Sequence, residues 1–277
     1  MNIVIGSNLF LMIKIGFVFY FDDLSWSGGI NYFKNLISAI YSIKDRKIEV
    51  IIFTGIKKGG EIPNDFPKIK LIRYSFFDQK SLSWYLRYAF KKVFNFDFFL
   101  EYACKKNKIN VISHSGYIGR YSKISCIGNI FDFQHKYMPE LFGNHELLSR
   151  NKQFEKLSKF CDTIIVSSVA SKLDYIKFYP KYSKKVQVLR FVSVYFNLEE
   201  SKEDETIIRK RYSLPNYYFY LPNQFWKHKN HLVVLKALNH LCKNGINIFI
   251  ISSGKTVDYR DPLYFLTITK YISKNFL

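Results

Sequence analysis

Tyr220-Leu-Pro-Asn-Gln-Phe-Trp-Lys-His-Lys-Asn-His-Leu-Val-Val-Leu-Lys-Ala-Leu238 opens as an aromatic, strand-like run and passes through a polar turn carrying Lys227, His228 and Lys229. It continues with helical spacing at Leu232, Leu235, Lys236 and Leu238. A strand, a basic turn and a helix in that order suit an anion. Free backbone N–H groups and the positive end of the helix dipole converge where two ammonium groups also point. A phosphate or diphosphate is the expected guest.

Around this stretch the chain has the rhythm of a parallel sheet covered by helices. Short apolar runs at 15–20, 48–54, 69–74, 110–113, 125–130, 163–167 and 185–189 read as strands, with helices at 30–42, 81–94, 98–106, 147–160 and 168–178. The acidic segment 199–205 reads as a linker or surface loop, and a second βα pattern starts at Tyr217. Strands at 218–221 and 246–252, helices at 230–243 and 263–273, and a helix cap at Gly245 complete it. The fold class expected is α/β with two Rossmann-like domains, 12–195 and 206–277. A parallel sheet of two strands cannot bury both faces, so the second domain is expected to be incomplete.

A chain of 277 residues with 48% hydrophobic content has no difficulty burying such cores. Cys104, Cys126, Cys161 and Cys242 form no C-x-x-C pair, which argues against a zinc site or a disulfide framework and for reduced thiols in a cytoplasmic protein. The formal charge of +20 has two explanations: a genome rich in Lys, Ile, Asn, Phe and Tyr codons, or attraction to anions. The basic residues are scattered and no nucleic-acid motif accompanies them, so nucleic acid is not the expected partner. The segment 1–21 is interrupted by Ser7, Asn8 and Lys14 and is too short of uninterrupted apolar residues for an anchor. Met12 is a candidate start, with 1–11 an extension.

Gly28 and Gly29 precede a helix with Phe33, Leu36, Ile37 and Ile40 on one face, which lets a backbone approach a ligand closely; a plain tight turn is the alternative. His114 and His135 follow the ends of two strands, with Asp132 and Gln134 beside the latter, where doubly wound sheets bind ligands. No D-x-D is present to grip a metal on a nucleotide-sugar, and His228-x-x-His231 lacks acidic partners, so no metal site is expected. The segment 81–94 is amphipathic, with Leu82, Tyr85, Leu86, Ala89, Phe90, Val93 and Phe94 on one face. That face either packs on the core or lies on an anionic membrane.

Asn223-Gln-Phe-Trp-Lys-His-Lys-Asn-His231 resembles the first βα loop of the donor domain in the retaining, nucleotide-sugar-dependent glycosyltransferases of family four, which have the two-domain GT-B fold. Gly28-Gly29, Val111-Ile-Ser-His114, Asp132-Phe-Gln-His135, Ser167-Ser168 and Val188-Leu189 fit the same family in order. The resemblance implies that Lys229, with Gly28 and Gly29, grips the donor diphosphate, without a metal or other cofactor. It also implies that His135 and Asp132 lie near the transferred sugar, with His114 and Gln134 in the acceptor cleft. Gln224 stands where an arginine is usual, and Lys227 or His228 is the candidate to compensate. The implied function is transfer of a hexose to a glycan or lipid-linked acceptor in bacterial surface polysaccharide synthesis, in the cytoplasm or peripherally on the inner membrane face. The family's E-x7-E element is not found after Asp261, so a truncated donor domain with little activity is expected. The alternative is a non-catalytic remnant or interaction module that keeps the fold.

Overall fold

The computed structural model describes residues 12–21, 27–57, 60–64, 66–193 and 205–275. Segment 1–11 and most of the loop before Gly28 lie outside them. The described residues form two compact units. One contains those up to Gln134 and from Leu148 to 193, and the other contains His135–Leu147 and those from 205 onward.

The first unit is a seven-stranded, all-parallel sheet. Its strands are β1 (Ile13–Val18), β2 (Ile48–Thr54), β3 (Lys70–Arg73), β4 (Val111–Ser113), β5 (Ser125–Ile130), β6 (Thr163–Val166) and β7 (Val186–Val188), in spatial order β3-β2-β1-β4-β5-β6-β7. The inner strand β2, between β3 and β1, shows why the sheet is stable. Val50 and Ile52 join a core with Phe17, Phe33 and Ile37 on one face, while Ile51 and Phe53 join a core with Phe77, Leu100 and Ile112 on the other. Alternation along a β-branched run buries both faces, as a parallel sheet requires.

The helices of this unit are α1 (Ser27–Tyr41), α2 (Leu82–Phe94), α3 (Phe98–Lys106), α5 (Asn144–Phe160) from Leu148 on, and α6 (Val169–Phe178), while α4 (Gln134–Tyr137) falls, from His135 on, in the segment grouped with the second unit. Ser81, Asp97 and Ser168 cap α2, α3 and α6 by accepting from the N–H groups of Trp84, Leu100 and Ser171. Of the two readings of 81–94, packing on the core does not hold: α2 has no buried residue, and Leu82 and Val93 are 78% and 71% exposed. Cys104, Cys126 and Cys161 are buried thiols, while Cys242 is exposed.

The second unit holds α7 (Glu205–Arg211), β8 (Phe219–Pro222), α8 (His231–Lys243), β9 (Ile250–Ser253) and α9 (Tyr264–Asn275). Strands β8 and β9 pair in parallel, and α8 and α9 enclose with them an apolar cavity of about 330 Å³ lined by Leu221, Phe225, His231, Leu235 and Ile268, among others. Phe219 and Tyr220 are 66% and 57% exposed, as expected for a two-stranded sheet that cannot bury both faces. Of the segment read as a linker, 199–204 lie outside the described residues, and Glu205 begins α7. No helix among the described residues is long and apolar enough to cross a membrane.

Candidate functional site

In the first unit the strand order reverses between β1 and β4, the position at which doubly wound sheets open a crevice beyond their carboxyl ends. The chain leaves β4 through Ser113, His114 and Ser115. Ser115 Oγ accepts from the Val18 N–H at 2.6 Å and donates to the Ser113 carbonyl at 2.8 Å, stitching the ends of β1 and β4 together. His114 sits in the left-handed region (φ 59°), which aims its ring across the crevice at α1.

That ring is the centre of a polar chain inside an aromatic box. Nε2 lies 2.8 Å from the Tyr32 hydroxyl and Nδ1 lies 2.7 Å from Ser113 Oγ. Phe17, Tyr32 and Phe33 pack around the imidazole at 5.5–5.7 Å between ring centres. Burial pushes the His114 pKa down to about 4 and that of Tyr32 up to about 12, so both are neutral near pH 7. A neutral imidazole donates at one nitrogen and accepts at the other, so hydrogen bonds run in one direction along Tyr32–His114–Ser113. Phe131 and Phe191 set their edges against Tyr32 at 5.4 Å each. Tyr32 was not singled out from the sequence, because a helical tyrosine beside Phe33 reads as core.

Gly28 and Gly29 lie in the first turn of α1, Gly28 exposed and Gly29 buried. A Cβ on Gly28 would meet nothing within 4 Å, so packing among the described residues does not demand glycine there. Asp132 is exposed and its Oδ1 accepts from the Gln134 N–H at 3.0 Å, a turn contact at the start of α4. His135 is 2% exposed and its ring meets Phe142, so this histidine is enclosed instead of opening onto a crevice. The Ser168 of the Ser167-Ser168 pair is a helix cap.

In the second unit the basic stretch folds as read: strand, a single tight 3-10 turn over Lys227–Lys229, then α8. Two aspartates that the sequence reading did not connect with the turn hold it. Asp258, 3% exposed, accepts from the Lys227 N–H and the Arg260 N–H at 3.0 Å each, and Asp261 pairs with the Lys227 ammonium at 3.2 Å. Lys227 therefore already has a charge partner. Lys229 is exposed and makes no ion pair among the described residues.

Asn230, in the left-handed region at φ 53°, precedes α8 without a side-chain cap; its carbonyl accepts from the Val233 N–H at 3.1 Å, and the N–H groups of His231 and Leu232 are left for another acceptor. Gln224 Oε1 is buried with no hydrogen-bond partner among the described residues, an acceptor that a ligand hydroxyl or N–H would satisfy. Gly254, following β9 at φ 154°, lets the backbone pass against Asn223 and Gln224. A Cβ there would fall 2.6 Å from the Asn223 carbonyl carbon and 2.8 Å from the Gln224 Cα.

His231 stacks on Phe225 at 4.6 Å and turns into the apolar cavity, where burial and then the Lys229 charge lower its pKa against the Asn223 carbonyl, which raises it. No group of three or more His, Cys, Asp or Glu side chains that could hold a metal is found among the described residues.

The solved structure of HepE from Anabaena with UDP-glucose superposes with a TM-score of 0.57 at 14% identity, covering 96% of this chain and 66% of that one. HepE with UDP and glucose gives 0.55 at 14% identity, covering 95% and 66%. Sucrose-phosphate synthase from Thermosynechococcus elongatus gives 0.55 at 13% identity, covering 96% and 68%. The chain spans about two thirds of the length of these structures. No family model and no curated protein matches the sequence. Identities this low speak for architecture alone: the fold of this chain is the α/β, Rossmann-like fold of the GT-B glycosyltransferases.

Proposed function

We propose that the chain is a glycosyltransferase that moves a hexose from a nucleotide diphosphate sugar to a glycan or lipid-linked acceptor in bacterial surface polysaccharide synthesis. The observation that carries this is the basic turn: Lys229 without an ion pair at the uncapped start of α8, in a fold shared with HepE, whose structures hold UDP and UDP-glucose. In this reading Lys229 and the first N–H groups of α8 bind the diphosphate. Charge that develops on the leaving group is then met by fixed donors, with no metal required. Gln224 offers its buried acceptor to a donor hydroxyl or N–H in place of the arginine usual in family four. Lys227 braces the turn through Asp261.

In the first unit, the first turn of α1 at Gly28 and Gly29 offers backbone N–H groups to an anion. The Tyr32–His114–Ser113 chain receives the acceptor hydroxyl, and a hydroxyl of the chain orients it while the imidazole, engaged at both nitrogens, holds the chain in place. Asp132, engaged at the start of α4 just after β5, and His135, enclosed beside Phe142, are the candidates for contact with the transferred sugar. Retention of anomeric configuration belongs to the same reading.

Thermal unfolding with added ligand tests it. A saturating nucleoside diphosphate raises stability by RT ln(1 + [L]/Kd), about 2.7 kcal/mol at a hundredfold excess over Kd. UDP, GDP or ADP is expected to raise the melting temperature where the matching nucleoside does not. Equal shifts by diphosphate and nucleoside, or none by any of the three, would remove the diphosphate grip.

A further inference from the structure

Helix α2 is built inside out. Trp84, Arg87 and Lys91 face the body of the first unit, and Arg87 grips both carboxylate oxygens of Asp97 at 2.9–3.2 Å, with Lys91 adding a contact at 3.3 Å. The Asp97 side chain has 0% exposure. Arg87 also lies over the Phe77 ring at 4.5 Å and Lys91 over the Tyr117 ring at 4.4 Å. This anchor sets the rotation of the helix, and the opposite stripe of Leu82, Leu86, Phe90, Val93 and Phe94 is exposed. The Phe90 and Phe94 rings meet Phe98 and carry the apolar surface onto α3. An exposed apolar patch of this extent marks an interaction surface.

The surrounding charge indicates what covers it. Beside the stripe lies a groove of about 300 Å³ lined by Tyr88, Lys91, Lys92, Lys152, Lys156 and neighbouring polar residues, with no acidic side chain among them. The whole chain carries +20, so a second copy would bring like charge against like. An apolar helix face rimmed by lysines and aromatic residues matches the boundary between acyl chains and anionic headgroups. We propose that α2 docks this chain on the surface of an anionic lipid bilayer, with Leu86, Phe90 and Val93 in the acyl boundary and Lys92, Lys152 and Lys156 of the groove at phosphate level. The buried Arg87–Asp97–Lys91 cluster is the positioning element that turns the apolar face outward.

Co-sedimentation of the full chain with vesicles tests this, using phosphatidylcholine alone and phosphatidylcholine mixed with phosphatidylglycerol. The mixed vesicles are expected to bind at least about tenfold more strongly, and salt is expected to weaken that binding. The double variant Leu86→Ser/Val93→Ser is expected to lose at least about tenfold in binding while keeping its circular dichroism and melting temperature, because both side chains already face solvent. The variant Lys92→Glu/Lys152→Glu is expected to lose the preference for phosphatidylglycerol. Failure of the chain to bind either vesicle, or undiminished binding by the Ser variant, would overturn the proposal. So would a dimer in sedimentation velocity that the Ser variant dissociates, because the patch would then be covered by a second copy.

Discussion

His114 shows how one side chain joins fold and chemistry. Its left-handed backbone follows from the turn out of β4, its dehydration from Phe17 and Phe33, and its neutrality from that dehydration. With a folded pKa of about 4 against about 6.5 for an exposed histidine, the unfolded chain takes up the proton first as pH falls. The stability this neutral ring confers is therefore complete above about pH 6.5 and is lost progressively towards pH 4, by about 3 kcal/mol in total. His114→Asn, which suits the same backbone region, is expected to flatten that part of the stability–pH curve. An unchanged slope in denaturant titrations of the two proteins at several pH values would contradict it.

Asp97 follows the same sign for a different reason, since here the charged form is the one the fold favours. Burial pushes its carboxyl up, but Arg87, Lys91 and the Leu100 N–H together hold it below the ordinary carboxylate range. Its contribution is thus present at neutral pH and fades only in acid. Asp97→Ala would leave two cations facing an apolar pocket, and a loss of about 3–5 kcal/mol in urea unfolding is expected. At Gly254 alanine would meet the Asn223–Gln224 backbone, and a loss of about 1–3 kcal/mol is expected by the same measurement.

Among the elements, legibility in the sequence depended on whether local signals were enough. The strands β2 and β5 and the helix α3 lie at the residues read from periodicity, because β-branched runs bounded by polar turns, and a cap such as Asp97, are local. The four-residue α4 went unread because so short a helix leaves no periodic trace. Helix α2 was legible as a helix but not in its orientation. Its apolar stripe reads as core-facing by the usual rule, and only the non-local bond from Arg87 to Asp97 reverses it.

The basic turn was legible in its order and residue types. What divides its two exposed lysines was not: Asp258 and Asp261 come from the loop after β9, some thirty residues on, and they engage the Lys227 end while leaving Lys229 without an ion pair among the described residues. Tyr32 escaped for the same reason, since its partner His114 is 82 residues away.

For the whole molecule, the two units differ in how completely they are packed. Strands of the first are covered on both faces, with Val50 through Phe53 at 0% exposure, whereas β8 presents Phe219 and Tyr220 to solvent and pairs with β9 beside a cavity. Backbone amides of β8 and β9 are therefore expected to exchange with deuterium well before those of β2 and β5. Equal protection across both sheets would contradict this.

The GT-B fold and the basic turn lead to one central claim, that Lys229 marks a nucleoside diphosphate site. Isothermal titration of the 277-residue chain with UDP, GDP and ADP measures it most directly. The account predicts that one of them binds, that Lys229→Ala weakens it at least about tenfold, and that Lys227→Ala, whose ammonium is already paired, does less. Equal affinity in the native chain and Lys229→Ala, or no binding of any of the three, would contradict it.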